Sequence, residues 1–153
     1  MNNSGNLSAR VRGRYDGEKR NPWNEIECGS NYSRSMASYA ILLALSGFRF
    51  DAVKGEIGFN PSRAINGEFR CFWSTGTGWG RFSMQPDEVK ITVHYGTLKI
   101  KKLDLPFLID RKIRKITVED KTVKYKMFGD KIEFDDTLTV RRGNTLRILL
   151  DPN

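Results

Sequence analysis

Hydrophobic and polar positions divide the chain into three textures. Residues 1 to about 20 are polar and basic, with Arg10, Arg12, Arg14, Lys19 and Arg20, and show no sustained periodicity. In the next stretch, Tyr32 to Leu45 carries apolar side chains on more than one helical face. Tyr32, Met36, Tyr39 and Leu43 share one face, Ile41 and Leu45 another, and Ser33, Ala37, Ala40 and Ala44 form a strip of small residues. This spacing predicts a helix. Ser30 or Asn31 can cap its start by accepting a hydrogen bond from a free backbone N–H. Gly47 can end it in a left-handed conformation. A helix that is apolar nearly all round must be buried by neighbours. The rest of the chain offers no second helix of comparable quality, so the pattern predicts a helix made for a larger helical assembly than this chain contains.

Beyond the helix the period changes to two. Phe48-Arg49-Phe50-Asp51 leads into Ile57-Gly58-Phe59-Asn60, an extended piece stopped by Pro61. Phe69-Arg70-Cys71-Phe72-Trp73-Ser74 is a strand by its aromatic content, followed by the turn-rich Thr75-Gly76-Thr77-Gly78-Trp79-Gly80. From about residue 83 the pattern predicts three hairpins. Val89–Val93 and Leu98–Lys101 flank His94–Thr97; Lys115–Val118 and Val123–Lys126 flank Glu119–Lys121; Thr137–Val140 and Thr145–Leu149 flank Arg141–Asn144. Antiparallel β-structure is the expectation for this zone.

Composition and charge narrow the picture. At 153 residues, with 39% hydrophobic and 29% charged residues, the chain suits one domain with a real core. No apolar run approaches the roughly 20 residues of a membrane span. The first residues, Met1-Asn2-Asn3-Ser4-Gly5, lack the apolar stretch of a signal peptide, so a cytoplasmic location is expected. A net charge of +8 suggests nucleic acid at first. The pattern argues against it, because Lys99-Ile100-Lys101 and Lys124-Tyr125-Lys126 alternate as strands with one wet face do. Cys28 and Cys71 stand alone, without metal-ligand or redox spacing, and read as free thiols.

The densest polar constellation runs from Asn21 to Arg34. Glu25 and Glu27 lie just upstream of the helix start, and Arg34 falls in its first turn. A cation there faces the positive pole of the helix dipole, at a cost of up to about 1 kcal/mol. A carboxylate folding back over the helix end compensates it. Such a pair either pins the loop or grips a polyol, since carboxylate and guanidinium together can orient adjacent hydroxyls. Trp23, Trp73 and Trp79 offer either core packing or an apolar face for a sugar ring. Glu25 and Glu27 make a poor catalytic pair, because one residue apart on an extended segment they point to opposite sides. Gly76-Thr77-Gly78-Trp79-Gly80 lacks the Lys-Ser/Thr of a phosphate loop, and His94, the only histidine, has no nucleophile motif beside it.

Arg14-Tyr15-Asp16-Gly17, Arg20-Asn21-Pro22-Trp23-Asn24-Glu25, Glu27-Cys28-Gly29, Tyr32, Arg34-Ser35-Met36-Ala37-Ser38 and Ala44-Leu45-Ser46-Gly47-Phe48 keep an order and spacing that closely resembles the C-terminal end of glycoside hydrolase family 116. That family holds β-glucosidases and the non-lysosomal glucosylceramidase. The resemblance continues through Gly58-Phe59, Pro61, Phe72-Trp73-Ser74 and Gly78-Trp79-Gly80, and weakens after about residue 83. It implies an α+β chain: the terminal helical segment of an (α/α)6 barrel-type catalytic domain, followed by antiparallel β-strands. The implied divisions are a basic leader over residues 1–20, the end of the catalytic domain over 21–82, and a β-rich tail over 83–153. It also implies a retaining mechanism, with a Glu nucleophile and an Asp acid/base about 5–5.5 Å apart. No position here matches the motifs of those two residues, so no catalytic residue is assigned. The family's glucose-subsite glutamate and arginine fall on Glu25 and Arg34. The implied substrate is a β-glucoside or other glycoside, the implied partner an upstream catalytic segment of the same enzyme, and neither a cofactor nor a metal is required. The alternative is a non-catalytic, basic β module that binds carbohydrate or a polyanion.

Overall fold

From Arg49 onward the chain pairs its strands into one mixed sheet. The computed structural model describes residues 9–10, 13 and 35–152. The chain divides into two units, Met1–Ile41 and Leu42–Asn153, and the second holds all the strands described. Ten strands are described: β1 (Arg49–Asp51), β2 (Glu56–Gly58), β3 (Phe69–Thr75), β4 (Gly78–Gln85), β5 (Glu88–Asp104), β6 (Ile113–Val118), β7 (Lys121–Thr122), β8 (Tyr125–Phe128), β9 (Lys131–Arg141) and β10 (Thr145–Leu150). Among the described residues the one substantial helix, α1, spans Ser35–Ser46, and a short 3-10 turn covers Pro106–Leu108.

This overturns the expected fold class. The described residues hold a mostly β architecture with a single long helix, not the terminal segment of an (α/α)6 barrel. The physical reason lies in the period-two alternation, which extends over most of the chain and closes a sheet by itself. A helical barrel needs a series of helices to pack on, and among the described residues α1 is the one long helical run. The predicted division at residues 82–83 falls inside β4.

The long strand β5 organises the sheet. Its first half lies between β4 and β10, which continue to β3 on one side and to β6 and β7 on the other. Its second half lies between β2 and β9, which continue to β1 and β8. All these pairings are antiparallel except β2 with β5, which is parallel. Side chains from both halves enter one buried cluster, including Phe82, Val89, Ile91 and Ile148 from the first and Ile57, Ile100, Ile132 and Phe134 from the second. Phe59 stacks on Phe82 with ring centroids 4.0 Å apart, tying the two halves face to face.

Two bulges let β5 serve both halves. The inward residues are Val89, Ile91 and Val93, then Leu98 and Ile100, then Leu103, so the inward parity changes twice. The first change falls where Gly80 opposes Val93 and Trp79 opposes Tyr95, which makes His94 an extra residue. The second falls at Lys101 and Lys102, whose backbone N–H groups both donate to Gly55 O, at 2.7 and 3.0 Å. Without these extra residues, each passage would turn the apolar set to the solvent side.

Two of the three expected hairpins are therefore something else. His94–Thr97 is no turn but the bulged middle of β5. β9 and β10 follow each other in sequence yet do not pair; they flank different halves of β5. Of the three expected, the one at Glu119-Asp120 does make a tight hairpin, with φ of 52° and 62°, and it joins β6 to the short β7. The segment expected as its second strand, Val123–Lys126, passes on to β8 in the other half.

At the helix end, Gly47 adopts φ 58° and its N–H donates to Leu43 O at 2.8 Å. The last helical carbonyls are met by the chain after β2: Asn60 N–H donates to Ser46 O at 2.9 Å and Ser62 N–H to Leu45 O at 3.0 Å. The expected start of the helix, with its Ser30 or Asn31 cap, lies outside the described residues.

Gly80 shows how tightly β4 meets β5. A Cβ there would stand 1.8 Å from Thr92 O and 2.9 Å from Trp73 Cζ2, whereas a Cβ on Gly76 would meet nothing within 4 Å. Gly80→Ala is expected to lower unfolding stability by about 3 kcal/mol. Gly76→Ala is expected to stay within about 0.5 kcal/mol of the parent. Urea denaturation of the two variants checks the contrast.

Candidate functional site

The residues expected to touch sugar, Glu25 and Arg34, lie outside the described residues, as do Trp23, Glu27 and Cys28. The described part of the chain places other chemistry-bearing residues, and separates the other two tryptophans. Trp73 is 1% exposed and belongs to the core, whereas Trp79 is 42% exposed. Alternation explains the difference. On β3, Phe72 and Trp73 face opposite ways, and Phe72 is the outward one. On β4, Gly78 and Gly80 face inward against β5, leaving Trp79 outward between them.

Trp79 is the centre of an exposed aromatic group. Phe72, on the neighbouring strand, has its ring centroid 6.0 Å away. Tyr95 lies directly opposite Trp79 in the register, with centroids 6.4 Å apart and planes at 18°, an offset stack. His94 approaches from the same bulge, at 5.8 Å and 53°. A regular strand would send His94 and Tyr95 to opposite faces; the bulge leaves both exposed. Gly96, at φ 71°, completes the bend, and a Cβ there would stand 2.1 Å from Thr77 O. The close β4–β5 approach and the outward aromatic group thus have one origin.

Charged and polar groups border these rings. Arg81 is exposed and pairs in register with Phe72, as Ser74 does with Trp79. The turn after β9 docks on the bulge from the other side: Arg142 N–H donates to Gly96 O at 3.1 Å and Gly143 N–H to Val93 O at 2.8 Å. Arg141 and Arg142 are both exposed on that turn. Thr75 and Thr77 are committed to the hairpin, their hydroxyls donating to Gly78 O at 3.1 Å and Thr97 O at 2.9 Å.

Elsewhere several ionisable groups answer one another. Arg49 reaches the buried Asp104 at 2.9 Å, Lys131 meets Glu56 at 2.7 Å, and Lys102 meets Glu133 at 3.1 Å. Glu88 holds Arg147 at 3.0 Å and also pairs with Lys90. An open cleft beside the helix end is lined by Leu43, Ala44, Gly47, Phe48, Asn60 and Pro61, with Arg49 at its edge already committed to Asp104. Ser62 also lines it, and no carboxylate, histidine or cysteine does. No group of three His, Cys, Asp or Glu side chains that could hold a metal ion occurs among the described residues. No described helix is long and apolar enough to cross a membrane.

Neither a family model nor a curated protein matches the chain.

Trp73 and Trp79 read alike in the sequence, as core or as a sugar face, because a Phe-Trp or Trp-Gly pair does not say which member faces out. The Gly-Trp-Gly alternation was the available signal: two inward glycines leave the residue between them outward.

Cys71 is a free thiol, half-buried against the core. Burial pushes its pKa up to about 12. Against an ordinary thiol near 8.5, that leaves on the order of 10³-fold less thiolate at pH 8. A Cys28→Ser variant is therefore expected to react with iodoacetamide at pH 8 far more slowly than glutathione does in the folded state, and at an ordinary rate in urea. Mass-spectrometric labelling kinetics check this.

Proposed function

We propose that this chain is the C-terminal portion of a retaining, β-glucosidase-like glycoside hydrolase, and that Glu25 and Arg34 supply part of its glucose subsite. The observation that carries this is the ordered run of rare residue types from Arg14 to Gly80, with Asn24-Glu25, Glu27-Cys28-Gly29 and Tyr32 with Arg34 at its centre. A carboxylate and a guanidinium nine residues apart in the sequence suit the gripping of neighbouring sugar hydroxyls.

The helix α1 supports the same reading. Tyr39, Ile41 and Leu43 are 65%, 46% and 48% exposed, a costly apolar surface for a helix in water. An upstream catalytic segment of the same enzyme would cover it and bring the nucleophile and the acid/base. Glu56, Glu88, Asp104 and Glu133 are engaged with cations, which leaves them poorly suited to either role. The chemistry is acid–base and nucleophilic, carried by carboxylates, so no cofactor enters it. The half-buried free thiol of Cys71 is in keeping with a reducing compartment, and we place the protein in the cytoplasm.

The isolated chain is expected to leave an aryl β-glucoside untouched. Co-expression with the upstream catalytic segment is expected to give turnover. Glu25→Gln or Arg34→Lys should then lower kcat/KM by about 10–100-fold, the size of one lost charge-assisted hydrogen bond. Turnover by the chain alone that Glu25→Gln abolishes would place the chemistry within the chain and overturn this division of labour.

A further inference from the structure

The aromatic group on β3, β4 and β5 is used by none of this. Its exposure is built rather than incidental. Gly78, Gly80 and Gly96 give up packing and conformational freedom so that the bulge can form, and the bulge sets Tyr95 opposite Trp79. Phe72, Trp79 and Tyr95 are adjacent rings on the outer side of a sheet whose inner side is fully packed. An extended row of exposed rings stacks well on the apolar C–H faces of flat ring ligands.

The charge beside the rings narrows the ligand. Lys90, Lys102 and Lys131 each face a carboxylate. Arg81 sits opposite Phe72 in register, Arg141 opposite Thr97, and Arg142 N–H bonds Gly96 beside Tyr95; like other surface cations such as Lys99 and Arg114, these three form no salt bridge among the described residues. Guanidinium groups bind carboxylate or sulfate through paired N–H donors. Arg81 stands two residues from Trp79 on one strand face, roughly 7 Å along the strand. A uronic acid carries its charge on the ring that stacks, within that span. A nucleotide holds its phosphate beyond the sugar, and nucleic-acid sites add a groove that tracks the backbone; this sheet face is open.

We propose that Phe72, Trp79 and Tyr95 form a binding platform for an acidic polysaccharide, with Arg81, Arg141 and Arg142 taking its anionic groups. The platform lies in the β unit and does not depend on Glu25 or Arg34.

Affinity electrophoresis of the full chain through gels containing polygalacturonate tests it, with a neutral β-glucan gel and a single-stranded oligonucleotide shift alongside. Retardation by polygalacturonate that weakens with added salt is expected. Trp79→Ala and Tyr95→Ala should each weaken it by about tenfold, the size of one lost stacking contact. Arg81→Gln and Arg142→Gln should weaken it and flatten the salt dependence. Circular dichroism checks that each variant is folded. If Trp79→Ala unfolds, Tyr95→Ala decides, since the 59% exposed Tyr95 ring packs little of the core. Glu25→Gln should leave retardation unchanged, which separates this proposal from the glucose-subsite reading: either can fail alone. No retardation at low salt would overturn it. So would binding to neutral glucan that the arginine variants do not alter. Tighter oligonucleotide binding lost in the same variants would assign the platform to nucleic acid instead.

Discussion

The architecture depends on how closely the main chain of β4 can approach β5. At Gly80 the Thr92 carbonyl occupies the space of a side chain, and at Gly96 the Thr77 carbonyl does the same. That contact fixes the offset between the strands, forces His94 out of register and bends β5 toward its second set of partners. The core follows from it. Only a β5 that changes inward parity can place Val89, Ile91 and Val93 in one half and Leu98 and Ile100 in the other over a common interior. Trp73 closes the same junction from inside, its ring edge lying against Gly80.

The second bulge works by a different device with the same result. Gly55, at φ 61°, turns the β1–β2 loop so that its carbonyl accepts from two successive N–H groups of β5. Asp51 steadies that loop by accepting from Val53 and Lys54 N–H, each at 3.0 Å. The Lys54 contacts hold its carboxyl below the usual carboxylate range. Nearby, the parallel pairing of β2 with β5 brings the buried Asp104 beneath Arg49. One of its oxygens has no hydrogen-bond partner, so the ion pair offsets only part of the cost of burying that carboxylate.

Two surfaces then remain for function, and they differ in kind. The apolar residues of α1 are exposed in a form that only protein packing answers well, which favours a covering catalytic segment. The aromatic and arginine group on the β unit is rigidly seated on strands and mixes flat apolar faces with paired donors, which favours a ligand. A hydrolase that recognises its sugar at one place and holds a longer acidic glycan at another would use both.

The sequence by itself determined the local periods and the rare-residue run. It located α1's end at Gly47, the strand β3, parts of β5, β6, β9 and β10, the exposed Lys99 of β5, and Glu25 and Arg34 as a pair to test, but it read the start of β4 as a turn. These are readable because helix and strand periodicity, capping and motif spacing are properties of neighbouring residues. Tertiary structure alone decided which strands meet. His94–Thr97 has the composition of a turn and is a bulge; Arg141–Asn144 joins strands that never pair. A glycine that permits a turn permits a close backbone approach equally well, and the choice rests on a partner distant in sequence. The same non-local choice set Trp73 inside and Trp79 outside, six residues apart.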